Sequence, residues 1–135
     1  HWPRGINNPG TLVQGVSHLI DILPTVMEVT ETMVPAELRG KQTIGRDGQS
    51  LAAAFRDDAS SEERTLFFSH AKGRALRHGK WKLVSRDRKP WELYDLSRDP
   101  LELRDLAEQE ASRLAELKAM WRKESERHAR QAQTR

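Results

Sequence analysis

Cysteine is absent from the 135-residue sequence. A disulfide framework, a zinc–thiolate centre and a thiol nucleophile are therefore excluded within this chain. Long apolar runs are also missing, since no stretch approaches the ~18 residues that a transmembrane helix needs. The first residues carry neither the basic region nor the apolar core of a signal peptide. Hydrophobic residues make up 36% and charged residues 32% of the chain, which predicts a thin two-layer unit resting on something larger.

Charge is almost balanced, with 23 Lys and Arg against 20 Asp and Glu. The signs are interspersed until about Lys118, after which basic residues are in excess. Such a tail could meet nucleic acid or an anionic surface. Trp121 is the one Phe, Trp or Tyr residue among these charges, which disfavours the stacking of single-stranded bases. We therefore expect residues 126–135 to be a disordered basic tail without a membrane partner, and weak nucleic-acid binding by this tail remains an alternative.

The first half of the chain predicts one main helix between irregular connections. Residues 1–10 are rich in Pro, Gly and Asn, which indicates a loop. Apolar residues then recur at near-helical spacing, and Asp21 is placed to cap a helix. We predict this helix over residues 22–31. Residues 35–50 lack periodicity and predict a long surface connection, after which residues 51–55 predict one or two helical turns.

The second half changes to the pattern of β-strands. Four short runs, partly aromatic or β-branched and bounded by Gly, Pro or charged clusters, predict an antiparallel meander. These runs are residues 65–69, 74–77, 81–85 and 91–94. His78-Gly79 lies between two of them and suits a tight hairpin, because Gly tolerates a positive φ.

A final helix is predicted after the strands. Asp99-Pro100 ends the strand region with a turn. The apolar residues that follow lie on one helix face, namely Leu106, Leu114, Leu117 and Trp121. The predicted fold class is therefore α+β, with a small antiparallel sheet of about four strands packed by a C-terminal helix and preceded by a helix and loops. We expect the last three of these side chains to be buried against Trp81 or Leu83.

Two groups of polar residues have the composition of a site but not its spacing. Asp95, Ser97 and Asp99 offer oxygen ligands at alternate positions, as a calcium loop does. Pro100 and Leu106 stand where an EF-hand needs Gly and a bidentate Glu, so a strand-to-helix turn is the better interpretation.

The second group, Ser17, His18 and Asp21, has the residue types of a hydrolytic triad. All three lie within five positions, whereas a nucleophile and its base normally come from separate elements. A helix cap is the better interpretation of Asp21.

Four aromatic residues, Trp81, Trp91, Tyr94 and Trp121, could form a platform for sugar stacking. Alternation along the strands instead leaves one sheet face to be covered, and the final helix would bring Trp121 to cover it. We therefore interpret these residues as core.

His70 is the residue we single out for function. It lies in a Gly-containing strand end beside Lys72, Arg74 and Arg77, so that positive charge and an imidazole converge there, as an anionic ester requires. A strand-end histidine that hydrogen-bonds to the backbone remains the alternative.

Four sequence blocks carry a family resemblance. They are HWPRGI at residues 1–6, HLIDILPT at 18–25, LFFSHAKGRALRHGKWKLV at 66–84 and WELYDL at 91–96. In this order they resemble the C-terminal part of an arylsulfatase-type sulfatase, in the alkaline-phosphatase-like superfamily. The resemblance covers nearly all of the chain and leaves only the basic tail unmatched.

The resemblance implies a parent enzyme that hydrolyses sulfate esters with a formylglycine nucleophile and a calcium ion. The Cys/Ser-x-Pro-x-Arg motif of the nucleophile is absent here, and the acidic residues do not match the metal-ligand motifs. No catalytic or metal residue is therefore assigned in this chain, and both groups are expected in the missing N-terminal part.

The resemblance also implies substrate-binding residues. In similar sulfatases the block around His70 reads roughly Glu-His-Glu-Gly-Asn-Arg-Ala and borders the pocket, which implies that His70 and Arg74 bind substrate. The intervening and flanking residues depart from that pattern, namely Ser69, Ala71, Lys72 and Gly73.

The domain organisation follows from the same resemblance. Residues 1–60 would be the end of the large α/β sulfatase domain, residues 61–125 the C-terminal subdomain and residues 126–135 the basic tail. We expect a fragment that is inactive alone, whose partners are the missing N-terminal domain and a sulfated small molecule or sugar. The parent is expected in the periplasm or outside the cell. The alternatives are a non-catalytic binding or oligomerisation module, or weak nucleic-acid binding through the tail.

Overall fold

The structure is a computed structural model that describes residues 2–13, 15–43, 45, 47–56, 63–87 and 89–133. The chain divides into two compact units, His1–Glu62 and Glu63–Arg135. In the described ranges, no helix has the length and apolarity needed to cross a membrane.

The described residues of the first unit form two α-helices and a short hairpin. A 3₁₀ turn at Leu19–Asp21 leads into α1, Ile22–Val29, and the last helix of the unit is α2, Ala52–Phe55. Helix α1 ends two residues before the predicted limit, because the chain turns at Glu31, where φ is 53°. Between the helices, β1, Glu37–Leu38, pairs with β2, Lys41–Gln42. The pattern of residues 35–50 did not predict this hairpin.

The side chain of Asp21 connects the 3₁₀ turn to the segment that precedes α2. Its buried carboxylate accepts the backbone N–H of His18 at 2.7 Å and that of Gln49 at 2.9 Å. The hydroxyl of Thr25 donates to the Asp21 carbonyl at 2.6 Å and accepts the N–H of Leu51 at 2.8 Å. The Asp21 side chain thus caps the 3₁₀ turn rather than α1, and it fastens residues 49–51 beside the helix. The predicted capping role of Asp21 is thus found at the 3₁₀ turn, one turn before the predicted helix.

The second unit is a four-stranded antiparallel sheet and one long helix. Its strands pair in sequence order, and its elements are β3, Thr65–His70; β4, Gly73–His78; β5, Trp81–Arg86; β6, Glu92–Asp95; and α3, Ala111–Gln133. This confirms the α+β fold. The hairpin between β4 and β5 turns at Gly79, where φ is 54°.

Two features of the last segment differ from the sequence-based expectation. Helix α3 continues to Gln133, so residues 126–133 are helical rather than disordered. In this stretch Arg127 pairs with Glu124 at 2.8 Å, and the His128 ring stacks on Phe67 at 4.9 Å. Leu106 precedes the helix and donates its N–H to the carbonyl of Leu93 at 2.8 Å, so it does not share the apolar face of α3.

The core of the second unit lies between one sheet face and α3. Leu76, Leu83 and Leu93 stand opposite one another in register on adjacent strands, and all are fully buried with Leu117 of α3. The side chains that pack around this cluster include the predicted ones, Trp81, Trp91, Leu114 and Trp121. The three tryptophans are therefore part of the core layer, whereas Tyr94 follows Leu93 in β6 and lies on the opposite face.

Asp95 lies opposite Trp81, at the end of the sheet where the β4–β5 hairpin turns. It is buried and accepts bonds from the Lys80 ammonium at 2.8 Å and the Ser97 hydroxyl at 2.5 Å. Burial alone raises the pKa of this carboxyl, but the hydrogen bonds from Lys80 and Ser97 outweigh that effect and hold the pKa below its usual value of 3.8. The ionised form of Asp95 is therefore the one that the fold stabilises.

Leu117→Ala tests the core. We expect a loss of about 2–5 kcal/mol in the free energy of unfolding, because a fully buried leucine is removed from a small cluster. Urea denaturation followed by tryptophan fluorescence measures it. Leu103→Ala is the control, since Leu103 is 81% exposed, and it should change the free energy by less than about 0.5 kcal/mol. Equal effects would contradict the described core.

Asp95→Asn tests the buried ion pair through pH. The pKa of Asp95 is lower in the folded state, so its contribution is complete above the unfolded value of 3.8 and is lost as the pH falls through the folded value. We expect the wild type to be more stable than the variant at neutral pH, and the difference to shrink below about pH 4. Unfolding curves at several pH values measure this. A difference that does not vary with pH would refute it.

Candidate functional site

Two turns lie side by side at one end of the sheet. Ala71 and Lys72 form the turn between β3 and β4, where His70 stands opposite Gly73. Asp87 follows β5, and its N–H donates to the carbonyl of Lys72 at 3.1 Å. Both Ala71 and Asp87 have a positive φ, of 51° and 53°. Residues other than glycine rarely adopt this conformation, and it clusters at functional sites.

A groove of about 520 Å³ opens beside these turns. We call it the hairpin groove, and its lining is formed by Ser69, Ala71, Lys72, Gly73, Arg74, Asp87 and Trp121. Among the described lining residues are one carboxylate and two cationic side chains, which together carry a net positive charge.

Arg74 is held in this groove by aromatic rings rather than by a carboxylate. Its Cζ atom lies 4.5 Å from the centre of the Trp91 ring and 5.7 Å from that of Trp121. Its Nη2 atom donates to the hydroxyl of Ser85 at 3.3 Å. In the part of the chain that the structure describes, no carboxylate lies within 4 Å of the Arg74 guanidinium.

The register of β3 and β4 separates the two predicted substrate residues. Arg74 stands opposite Ser69 and points to the face that α3 covers. His70 is exposed and lies on the opposite face, because side chains alternate along a strand. Arg77 is on the face of His70 and donates to the carbonyl of Gly79 at 3.1 Å, near the other end of the sheet. Lys72 and Arg74 therefore share the groove, and His70 and Arg77 do not line it.

Trp121 forms a wall of the groove, a role that the sequence pattern did not reveal. Its ring packs 5.6 Å from Phe67 and 5.3 Å from Trp91, measured between ring centres. Its indole nitrogen is buried, and within the described residues no group accepts its hydrogen bond. The periodicity of α3 places Trp121 on the inner helix face, but only the folded hairpin shows that its ring also reaches a cavity.

No calcium site is assigned to this chain. Among the residues with described positions, no three His, Asp or Glu side chains gather closely enough to hold a metal ion. Of the residues described around the groove, Asp87 is the carboxylate and it lies beside two cations, which is a poor ligand set for a hard cation.

Solved structures share this fold. The crystal structure of Ps i-CgsB superposes with a TM-score of 0.76 at 21% identity, over 93% of this chain and 27% of the other. Its complex with k-i-k-neocarrahexaose gives 0.74 at 20% identity, over 93% and 27%. BT4656 in complex with its substrate D-glucosamine-2-N,6-O-disulfate gives 0.66 at 18%, over 92% and 26%. The chain thus spans about a quarter of the length of these proteins.

The antiparallel sheet and the C-terminal helix that covers it belong to the C-terminal portion of a sulfatase. The family model for the C-terminal part of N-sulphoglucosamine sulphohydrolase matches residues 1–131, and the chain belongs to that family. The resemblance stated from the four sequence blocks is thereby confirmed. Comparison with curated protein sequences gives no significant match.

Ala71→Gly tests the strain in the turn of the hairpin groove. The left-handed conformation costs a non-glycine residue roughly 1–2 kcal/mol, and the greater freedom of glycine in the unfolded chain offsets about half of that. We expect the variant to be more stable by about 0.5–1 kcal/mol, measured by thermal and urea unfolding. Ala119→Gly, on an exposed position inside α3, should instead lose about 1 kcal/mol. A loss at both positions would contradict the strain at Ala71.

Proposed function

We propose that this chain is the C-terminal portion of an enzyme that hydrolyses sulfate esters, in which it completes the fold and borders the substrate cleft. The family match over residues 1–131 carries the proposal. The formylglycine nucleophile and the calcium ion that the resemblance implies would belong to the part of the enzyme outside this chain. The residues of this chain would position substrate and would not react with it.

An exposed apolar stripe on the first unit supports a partner domain. Leu19, Ile22, Leu23 and Val26 have the i, i+3, i+4, i+7 spacing of one helix face, and they are 78%, 55%, 51% and 49% exposed. Contiguous apolar surface of this kind marks an interaction site. We propose that this stripe, which we call the α1 stripe, packs against the N-terminal sulfatase domain. The alternative is that the α1 stripe forms the contact between two copies of an oligomerisation module.

The substrate that we propose is a sulfated sugar. Two similar structures are complexes with saccharides, k-i-k-neocarrahexaose and D-glucosamine-2-N,6-O-disulfate. The net positive charge of the hairpin groove supports an anionic ligand for this chain as well. Arg74 is the predicted residue that the groove contains. His70 remains a prediction, and it would have to contact substrate from the other sheet face.

Reconstitution with the N-terminal part of the parent enzyme tests this function. We expect the chain alone to give no turnover, and the complex to hydrolyse a chromogenic aryl sulfate or a sulfated monosaccharide. Ile22→Glu should weaken the complex at least tenfold, because a charge would be buried without a partner. Leu101→Glu is the control, since Leu101 is a 75% exposed apolar residue of the other unit.

Two outcomes would contradict the proposal. A complex that forms but hydrolyses no member of a panel of sulfate esters would exclude the enzyme activity. A chain that dimerises through the α1 stripe and does not bind the N-terminal part would instead indicate the oligomerisation module. Sedimentation of the chain and of the Ile22→Glu variant distinguishes that result from association with the N-terminal part.

A further inference from the structure

We propose that strand β3, at one edge of the four-stranded sheet, pairs antiparallel with β3 of a second copy of this chain, so that the two sheets join into one. The inference concerns assembly and does not depend on the proposed enzyme activity.

The register of the sheet decides which backbone groups of β3 face outward. The Gly79 N–H donates to the Arg64 carbonyl at 3.1 Å, and antiparallel strands bond through every second residue. Leu66, Phe68 and His70 therefore carry the remaining bonds to β4. The N–H and C=O groups of the alternate residues point to the open edge, namely those of Thr65, Phe67 and Ser69. Among the described residues, none bonds to these outward groups.

The opposite edge of the sheet is covered by the chain itself. In β6 the outward N–H of Leu93 donates to the Asp105 carboxylate at 2.9 Å, and its carbonyl accepts the N–H of Leu106 at 2.8 Å.

Strand β3 lacks the usual protection of an exposed edge. Natural edges are commonly blunted by lysine, proline or a bulge. The strand pairs with β4 without a bulge over all six residues, Thr65–His70, and it contains no Asp, Glu, Lys, Arg or Pro. Such an edge is suited to accept a further strand.

The sequence of β3 matches itself when two copies pair about Phe67. In that register Phe67 lies opposite its own counterpart, and Thr65 lies opposite Ser69 on the same face. On the other face Leu66 lies opposite Phe68. Aromatic, hydroxyl-bearing and apolar side chains thus each meet their own kind, and no like charges meet within residues 65–69. We therefore assign the edge to a second copy rather than to an unrelated strand.

Packing orders β3 before a second copy binds. On the face covered by α3, the Phe67 ring lies 5.6 Å from the Trp121 ring and 4.9 Å from the His128 ring, measured between ring centres. A strand that is already ordered loses little conformational entropy on association. A ladder of this length buries less surface than the roughly 1,200–2,000 Å² of a stable interface. We therefore expect a weak dimer that dissociates on dilution.

The pairing also brings the second copy to the hairpin groove. Ser69 lines this groove, and in the paired register it stands opposite Thr65 of the second copy. Each groove of the dimer therefore has backbone of the second copy beside its wall.

Sedimentation of the full chain tests the pairing. All proteins carry Ile22→Glu, which removes association through the α1 stripe. We expect a dimer that forms as the concentration rises. Ser69→Pro should weaken it at least fivefold, because proline removes an outward N–H and leaves the bonds to β4 intact. Ala111→Pro is the control, since proline is tolerated at the first position of a helix, which Ala111 occupies in α3.

A second pair of variants leaves the backbone unchanged. Ser69→Lys adds a charge at the edge that pairing would have to cover, and it should weaken the dimer at least threefold. Ser112→Lys makes the same change at an exposed serine of α3 and should have no effect. Thermal unfolding verifies that each variant is folded.

Cross-linking tests the register, because the chain has no cysteine of its own. In the paired register Thr65 of one copy and Ser69 of the other have Cα atoms about 5.5 Å apart, which a disulfide can span. Within one copy these residues are about 13 Å apart, and so are the two copies of either residue. We expect Thr65→Cys/Ser69→Cys to form a covalent dimer on mild oxidation, and neither single variant to do so.

Four results would overturn the inference. The first three are a chain that stays monomeric up to its solubility limit, a dimer that folded Ser69→Pro and Ser69→Lys leave unchanged, and single-cysteine variants that cross-link as readily as the double variant. The fourth is a monomer whose Ser69→Pro variant binds the N-terminal part more weakly, which would show that the added strand comes from that part. The reconstituted enzyme can be active or inactive in each case, so this test is independent of the proposed function.

Discussion

The packing of α3 across one face of the sheet is the interaction on which the second unit depends. Leu117 is buried against three leucines that stand side by side on β4, β5 and β6. Helix-on-sheet packing of this kind needs only one apolar face from each layer, which suits a chain with 36% hydrophobic residues. The same packing holds Trp121 beside Phe67 and Trp91. The aromatic layer that orients Arg74 is therefore an extension of the core, and the groove exists because the helix is docked.

The elements that could be predicted from the sequence are those whose evidence is local. Each strand of the second unit carries its own alternation and is bounded by Gly, Pro or charged residues, so its position follows within about two residues. The β1–β2 hairpin gives no such evidence, since its strands have two exposed residues each and its turn depends on Arg39 and Gly40, both with positive φ. Leu106 matches the helical spacing but lies before α3, and its backbone N–H donates to the carbonyl of Leu93 in β6.

The site was predictable in composition but not in arrangement. His70 and Arg74 are four residues apart, and the sequence shows only that cations gather there. A turn of two residues places Ser69 opposite Arg74 and His70 opposite Gly73, and this register sends the two side chains to opposite faces. The stack of Arg74 on Trp91 joins β4 to the residue before β6. Such a contact depends on three strands in register, and no motif in the sequence encodes it.

The two units satisfy their polar and apolar groups in different ways. In the first unit the hydrogen bonds of Asp21 and Thr25 fold the backbone around α1, yet apolar residues of the same helix remain exposed. Hydrogen bonds specify this local shape, but each contributes only about 1 kcal/mol net, whereas burial of a large aliphatic side chain contributes about 1.5–3 kcal/mol. Hydrogen bonds within the segment therefore determine its conformation, whereas many of its large apolar side chains are still exposed to solvent. The proposed packing of the α1 stripe against an N-terminal domain would correct this imbalance, because it would bury the apolar surface that the first unit leaves uncovered.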